Sequence, residues 1–453
     1  MVNKKNMYGT RMASGSIGIS IGDNFYQIFW ILLLSVMYFA RDIGGVYFPD
    51  LVFSGLCAIA FFVLDYGAAL GVYAFTTSLT LPENEIMLFY LLIILLKRYR
   101  DNRMQLHAGM LCCTFALLVL QMLDMALFTR MSWMNMLYQY ITKMLYIIIP
   151  LIWFSYDTTP KQYKRAVICY VWGLVFGAAI VLIITGNQIG WAEMFRSNQY
   201  TRLGVADNAT AGRMQTRYNA NQLGGMMAIA LSYMLVLMER KTLSKPVSFI
   251  TIAFITVIIA LTKSRTGLLC ACGVVALYLL YVMVSSRQWF KGILFVLAIL
   301  IVIGMILYFF PDVFSGLFSR FEDQEDMTNG RADLLVIYLQ EWLSDPWCFL
   351  FGYGIGSFQE VVTVHNVPHN AIADILMSWG LLGFILLLVI LLSFYTKAIR
   401  YVSRKARLLV SIPALVAIVF SMAGQYLTVG YPHLRLSFLI LSIQAWGHDK
   451  GNG

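Results

Sequence analysis

Long apolar runs, separated by short basic stretches, cover nearly the whole chain. Runs of roughly 15–24 apolar residues recur, the length a helix needs to cross a hydrocarbon layer of about 30 Å. Ten-residue segments of alternating polarity are missing from the pattern, so barrel strands are not expected. The runs predict spans near 25–40, 108–128, 136–156, 166–185, 222–238, 247–262, 266–284, 292–310, 371–395, 408–427 and 434–446. The stretch 51–96 is apolar too and has to cross an odd number of times. One crossing there gives about 12 transmembrane helices in all, and three give about 14. The expected fold is an all-α polytopic membrane protein, a single membrane domain over residues 1–453.

Composition agrees with that pattern. Of 453 residues, 60% are hydrophobic and 12% charged, against about 25% charged in soluble domains. A net charge of +10 would suggest nucleic acid in a soluble protein. Here the basic residues gather between apolar runs, at Lys97–Arg103, Lys161–Arg165, Arg240–Lys245, Arg287–Lys291 and Lys397–Arg407. The positive-inside rule places those loops in the cytoplasm, and both termini with them. Nucleic acid is therefore not an expected partner. The run 25–40 follows Lys4, Lys5 and Arg11, as a signal peptide would, but ends in Arg41-Asp42 instead of a small-residue cleavage site. It is read as an uncleaved first helix. The seven cysteines form no CxxC pair. Six lie in apolar runs and Cys348 lies in a loop, so small apolar packers are expected rather than disulfides or a metal site.

Two long segments, 186–219 and 311–369, fall on the external side by this parity. Loops of that length are commonly functional. The second is rich in aromatics and glycines, including Trp342, Trp347, Phe349, Phe351, Gly352 and Gly354, and short ordered helices are expected in it. The external side also collects cations against the charge rule. Lys263 and Arg265 sit in a short turn, and Arg196, Arg202, Arg213 and Arg217 in the first long loop face only Glu193 and Asp207. An anionic ligand on that face would account for them. Asp124, Lys143 and Asp374 fall inside predicted helices toward the same ends, marking either a site or a structural ion pair.

Arg217, Arg265, Arg331 and His369 gather on one face in this topology. Arginine suits phosphate because its planar fork binds two oxygens at once and stays charged. His369 follows Pro368, which fits the first turn of a helix, so His369 is expected at a helix N-terminus. The dipole there disfavours the imidazolium, and a neutral imidazole is what a general base needs. Asn370 could orient the ring or bind a sugar hydroxyl, and Gly380 and Gly383 would let a neighbouring helix approach. His365 and His369 are four apart, but Pro368 between them argues against the helix that zinc binding would need. The acidic run Glu322–Asp326 reads either as a divalent-cation site or, more simply, as a solvated face.

Four stretches together carry a family likeness. They are "RYNANQLGG" from Arg217, "LTKSRTGLL" around Arg265, "TNGRADLLVIYLQEWLSDPWCFLFGYGIGSF" around Arg331, and "HNAIADILMSWGLLG" from His369. In that order they resemble the O-antigen ligase and polymerase superfamily, bacterial membrane glycosyltransferases of the GT-C type. The resemblance implies a glycan donor on undecaprenyl pyrophosphate, a sugar hydroxyl as acceptor, an inverting transfer, and no metal or other cofactor. It implies that Arg265 and Arg331 bind the pyrophosphate, that Arg217 or the nearby Arg213 does so too, and that His369 is the base. Lys263, Asn370 and Asp374 are expected to support them. A polymerase of lipid-linked repeat units is the first expectation, and a ligase moving glycan to lipid A-core or another acceptor is the alternative. A transporter for the same lipid is disfavoured, because no internal repeat is visible and the ionisable groups cluster at the external rim. The expected setting is the bacterial cytoplasmic membrane, among membrane lipids, with a flippase and a chain-length regulator as candidate partners.

Overall fold

The computed structural model describes residues 21–78, 92–94, 96, 107–128, 133–134, 137–138, 140–141, 145, 148, 151, 154–155, 158–195, 202–204, 220–285, 289–309, 312, 331–354, 370–424 and 432–447. Among these residues there is helix and no strand. The helices are α1 (Ile21–Asp42), α2 (Asp50–Val63), α3 (Tyr66–Ser78), α4 (Ala108–Phe128), α5 (Pro160–Ile189), α6 (Trp191–Met194), α7 (Ala220–Glu239) and α8 (Lys245–Thr262). They continue with α9 (Arg265–Leu280, extended by a π-turn), α10 (Trp289–Phe309), α11 (Arg331–Ser344), α12 (Pro346–Phe351), α13 (Ala371–Ile399), α14 (Arg407–Gly424) and α15 (Pro432–Leu441), which runs on as a 3-10 turn to Trp446. Within the described residues, six helices are long and apolar enough to cross a membrane: α5, α7, α8, α9 with its extension, α13, and α14 with the turn before it. The expected span 136–156 and the end of the 51–96 stretch lie largely outside the described residues.

Helix ends follow local chemistry. Thr159 and Gln162 form a capping box at the start of α5, each side chain bonded to the other's backbone N–H, which satisfies two donors that the helix leaves open. Pro160 fills the first helical position, where its missing N–H costs nothing. The helix runs to Ile189 and stops at Gly190 with φ 91°, so it enters the first of the two long segments, which also holds α6.

The hub of the bundle is α7. It packs on α5, α8, α9 and α14 and buries nearly every residue from Leu223 to Leu237. Small residues make this possible: a Cβ on Gly225 would lie 2.3 Å from the Phe420 ring of α14. Without a hydrophobic drive between helices in lipid, such close approach is what holds them.

The 51–96 stretch contains a helical hairpin. Asp65 caps α3, its carboxylate accepting from the N–H groups of Gly67 and Ala68 at 3.1 and 3.0 Å. From there α3 runs parallel to α5. Gly67 faces Gln162, Gly71 faces Cys169, and the Phe75 and Phe176 rings lie 6.0 Å apart. The turn between α2 and α3 thus sits at the α5 N-terminus, beside Lys161 and Arg165. α2 has 14 residues, about 20 Å at 1.5 Å per residue.

Candidate functional site

The turn between α8 and α9 is built around a reversal in one residue. Lys263 takes the left-handed conformation (φ 47°, ψ 33°) and is wholly buried. Ser264 then caps α9, its hydroxyl accepting from the Gly267 N–H at 3.1 Å and donating to Asn221 Oδ1 at 2.9 Å. A Cβ on Gly267 would fall 2.8 Å from the Gly224 Cα, so α7 and α9 touch backbone to backbone here. The stretches beginning at Arg217 and around Arg265 are therefore fastened to each other. Arg265 becomes the first residue of α9, where the positive end of the helix dipole adds to its own charge.

Arg331 likewise opens α11. Its guanidinium is pushed below the ordinary arginine range, first by burial and then by the charge of Arg265. Holding two guanidiniums close in a partly buried place is unfavourable by itself and is relieved by an anion. The first long segment brings a partly buried arginine to the end of α8. The Leu203 N–H donates to the Leu261 carbonyl at 3.0 Å, which seats Arg202 by the end of α8. Burial lowers the pKa of Arg202 too. The sequence pattern counts Arg202 only among the external charges, and the motif favours Arg213 or Arg217. The signal for Arg202 is its burial, which the sequence does not display. Arg213, Arg217 and His369 lie outside the described residues.

The start of α13 corrects one expectation. The helix begins at Ala371 and its cap is Asn370, whose side-chain oxygen accepts from the Ile372 and Ala373 N–H groups at 2.9 and 3.2 Å. Its amide donates to the Met422 carbonyl of α14 at 3.0 Å. His369 thus precedes the cap instead of opening the helix. Asn370 is among the strongest N-cap residues, and Pro368 suggests a start two residues too early. Asn370→Ala is expected to cost about 1 kcal/mol of stability and to loosen α13 from α14. A lowered melting temperature with near-normal activity in the folded fraction is the expected outcome. Unchanged melting with lost activity would instead place Asn370 on the substrate.

Ten residues further on, α13 breaks. Gly380 has φ 61° and ψ −173° inside an otherwise continuous helix. The carbonyls of Met377 and Ser378 turn away and accept from the N–H groups of Tyr353 and Gly354 at 2.8 and 2.9 Å. Those donors follow α12, which Asp345 caps through the Trp347 N–H at 2.8 Å while accepting from the Tyr353 hydroxyl at 2.8 Å. The fit is tight on both sides. A Cβ on Gly380 would meet the Leu350 carbonyl carbon at 2.4 Å, and one on Gly352 (φ 85°) would meet that of Ser378 at 2.5 Å. The helix approach expected at Gly380 is thus made by the backbone of α12. At Gly383 it is made by Leu117 and Leu120 of α4.

A small core of Tyr338, Cys348, Tyr353, Ala373 and Met377 seals α11, α12 and α13 together. The Cys348 thiol is pushed up to about 12, first by burial and then by Asp345, which fits the packing role expected of it. Asp374, half-buried one turn into α13, raises the pKa of Tyr338 after burial has done so. Asp124 is wholly buried beside Trp347, while Lys143 lies outside the described residues. No cluster of three potential metal-ligating side chains occurs among the described residues. The His365 and His369 pair and the acidic run 322–326 lie outside them.

The described residues form a helical membrane protein in which two helix-opening arginines, from segments far apart in sequence, lie within electrostatic reach of each other. Residues 250–388 match the family model described as O-antigen ligase (Wzy_C), which supports the O-antigen ligase/polymerase superfamily. The matched stretch takes in Arg265, Arg331 and the whole run from His369 through Gly383, and begins after Arg213 and Arg217. Neither the comparison with curated proteins nor that with solved structures gives a match.

Proposed function

We propose that this protein is a glycosyltransferase that polymerises undecaprenyl-pyrophosphate-linked repeat units into a surface polysaccharide, on the external face of the bacterial cytoplasmic membrane. One observation carries the reading: Arg265 and Arg331 open their helices within electrostatic reach of each other, and an anion carrying two phosphates suits two arginine forks. In the reaction, the acceptor hydroxyl attacks the sugar carbon that bears the pyrophosphate. A new glycosidic C–O bond forms, the C–O bond to the pyrophosphate breaks, and the configuration inverts. His369 takes the hydroxyl proton, and the arginines stabilise the charge that collects on the leaving group. Arg202, with Arg213 or Arg217, adds positive charge from the first long segment, buried Lys263 forms the turn that sets Arg265 at the start of α9, and Asp374 supports the site from α13. The α2–α3 hairpin favours three crossings in 51–96, with both termini in the cytoplasm. A flippase delivering the donor and a chain-length regulator are the partners this reading implies.

The family description favours a second reading, a ligase that hands the lipid-linked glycan to a different acceptor. Purified protein given only lipid-linked repeat units separates the two: a ladder of products marks the polymerase, and transfer solely to an added second acceptor marks the ligase. Either activity tests the clamp. Arg265→Lys and Arg331→Lys keep the charge and lose the fork, and each is expected to lower the rate by about 10²–10³, the usual effect of removing one group that stabilises developing charge. Near-normal product from both variants would remove the pyrophosphate clamp.

A further inference from the structure

One ionisable side chain inside the bundle has no part in the proposed chemistry. Asp124 lies one turn from the end of α4 and is wholly buried. Neither of its carboxyl oxygens has a hydrogen-bond partner among the described residues. Buried polar groups are nearly always paired, and an ionisable one inside a membrane protein is costly to keep. Its surroundings give it a task. Helix α4 packs on α13. Leu117 and Leu120 face Gly383, and the Gln121 amide donates to the Ser378 carbonyl at 3.4 Å. That carbonyl is one of the two freed by the break at Gly380, and it also accepts from the Gly354 N–H that follows α12. Three residues beyond Gln121, on the same face of α4, Asp124 lies beside the Trp347 indole of α12. The polar end of α4 thus touches both sides of the joint between α12 and α13.

Hydrogen bonding at this joint is short of one donor. Gln121 Oε1 is buried without a partner, like both oxygens of Asp124. A carboxylate and an amide oxygen only accept, so they cannot satisfy each other. A single proton on Asp124 changes that. Its O–H then donates to Gln121 Oε1, and its second oxygen is left to accept from the Trp347 indole N–H. The local charges favour the same state. The Cys348 thiol, next along α12, feels Asp345, Asp124 and Glu341 together. A negative charge on Asp124 would join two other carboxyl groups and, among the described residues, meet no counter-ion.

We propose that Asp124 is a neutral, proton-bearing carboxyl that, with Gln121, clasps α12 to the break in α13 and so positions α11 and the start of α13 for the transfer. It is a positioning residue, acting through Trp347 and Gln121 and touching no substrate. The clasp stands without the glycosyltransferase reading; only its role in the transfer rests on that reading. The test compares the full-length protein with Asp124→Asn, which keeps a donor and an acceptor without a titratable proton, and with Asp124→Leu, which keeps the size and has neither. At neutral pH, the infrared carbonyl band of a protonated carboxylic acid is expected in the unaltered protein and is expected to be lost in Asp124→Asn. Cys348 is expected to stay protected from maleimide in Asp124→Asn and to label about tenfold faster in Asp124→Leu, the scale of one buried pair left unsatisfied. Product formation is expected to follow the same order, near-normal in Asp124→Asn and about tenfold lower in Asp124→Leu. Gln121→Leu opens the clasp from its other end and is expected to expose Cys348 too, so it decides the question if Asp124→Leu does not fold. No infrared difference between the unaltered protein and Asp124→Asn would overturn the proposal. So would a folded Asp124→Asn that exposes Cys348, or protection of Cys348 in both leucine variants. Exposed Cys348 with undiminished product would remove the positioning role. If the unaltered protein makes no product, that role falls with the glycosyltransferase reading, while the infrared and labelling results still decide on the clasp.

Discussion

His369→Ala is expected to make product roughly 10²–10⁴ times more slowly than the unaltered protein, the usual range for a positioned proton transfer, while donor-lipid binding changes little. The split follows from the division of labour at the site. In the proposed mechanism the arginines hold the pyrophosphate, and the imidazole meets only the acceptor hydroxyl. The rate should also fall as the pH drops through the imidazole range, about 6.5 when unperturbed, because the base has to be neutral to accept a proton. Asn370 sharpens the experiment. A histidine in this position could have been a helix cap and nothing more, but the cap of α13 is already supplied by Asn370. His369→Asn should therefore fold normally, bind donor lipid and form no polymer. A folded and fully active His369→Asn protein would end the assignment of His369 as base and leave the arginines standing alone.

The second large effect is expected at Gly380. Its φ of 61° with ψ of −173° belongs to a region that only glycine occupies readily, at a cost of about 1–3 kcal/mol for other residues. The added methyl of Gly380→Ala would also run into the Leu350–Phe351 peptide, which is backbone and has no rotamer to turn away. The two penalties together reach the rare class of substitutions above about 4 kcal/mol. What fails is specific. If α13 straightens, the Met377 and Ser378 carbonyls return to their own helix and the donors at Tyr353 and Gly354 lose their partners. Then α12 comes away from α13. Cys348, buried and with its thiol held protonated, reports this directly. Maleimide followed by peptide mapping should leave Cys348 unlabelled in the unaltered protein and label it in Gly380→Ala. Protection of Cys348 in the variant would show that the break in α13 is not what holds α12.

The long helices are legible because a membrane asks one question of every residue. The runs 222–238 and 247–262 correspond to the helices Ala220–Glu239 and Lys245–Thr262. The polar punctuation that ends each run, such as the Lys263-Ser264-Arg265 turn, is also what caps the helices. The break at Gly380 is not legible in that way. Apolar residues continue on both sides of it, and the donors that repay the freed carbonyls sit in a turn two dozen or so positions earlier. Gly380 stands out in the sequence as a place for close helix approach, not as a place where the helix parts. The meeting of Arg265 and Arg331 has the same character. Each is marked by its motif, Arg265 also by breaking the charge rule, and α11, which carries Arg331, is held on α13 through the core around Tyr338. Arg202 does not stand out in the sequence, because one solvated loop arginine looks like another until its burial is known.

The hairpin of α2 and α3 bears on how the chain is made. From Tyr66 to Phe75 every residue of α3 is buried, including Thr76 just beyond, and its longest contact is with α5, which is synthesised later. Its small and hydroxyl-bearing residues suit protein neighbours better than hydrocarbon. Its packing is therefore completed only when α5 arrives, once the chain has been translated past Ile189.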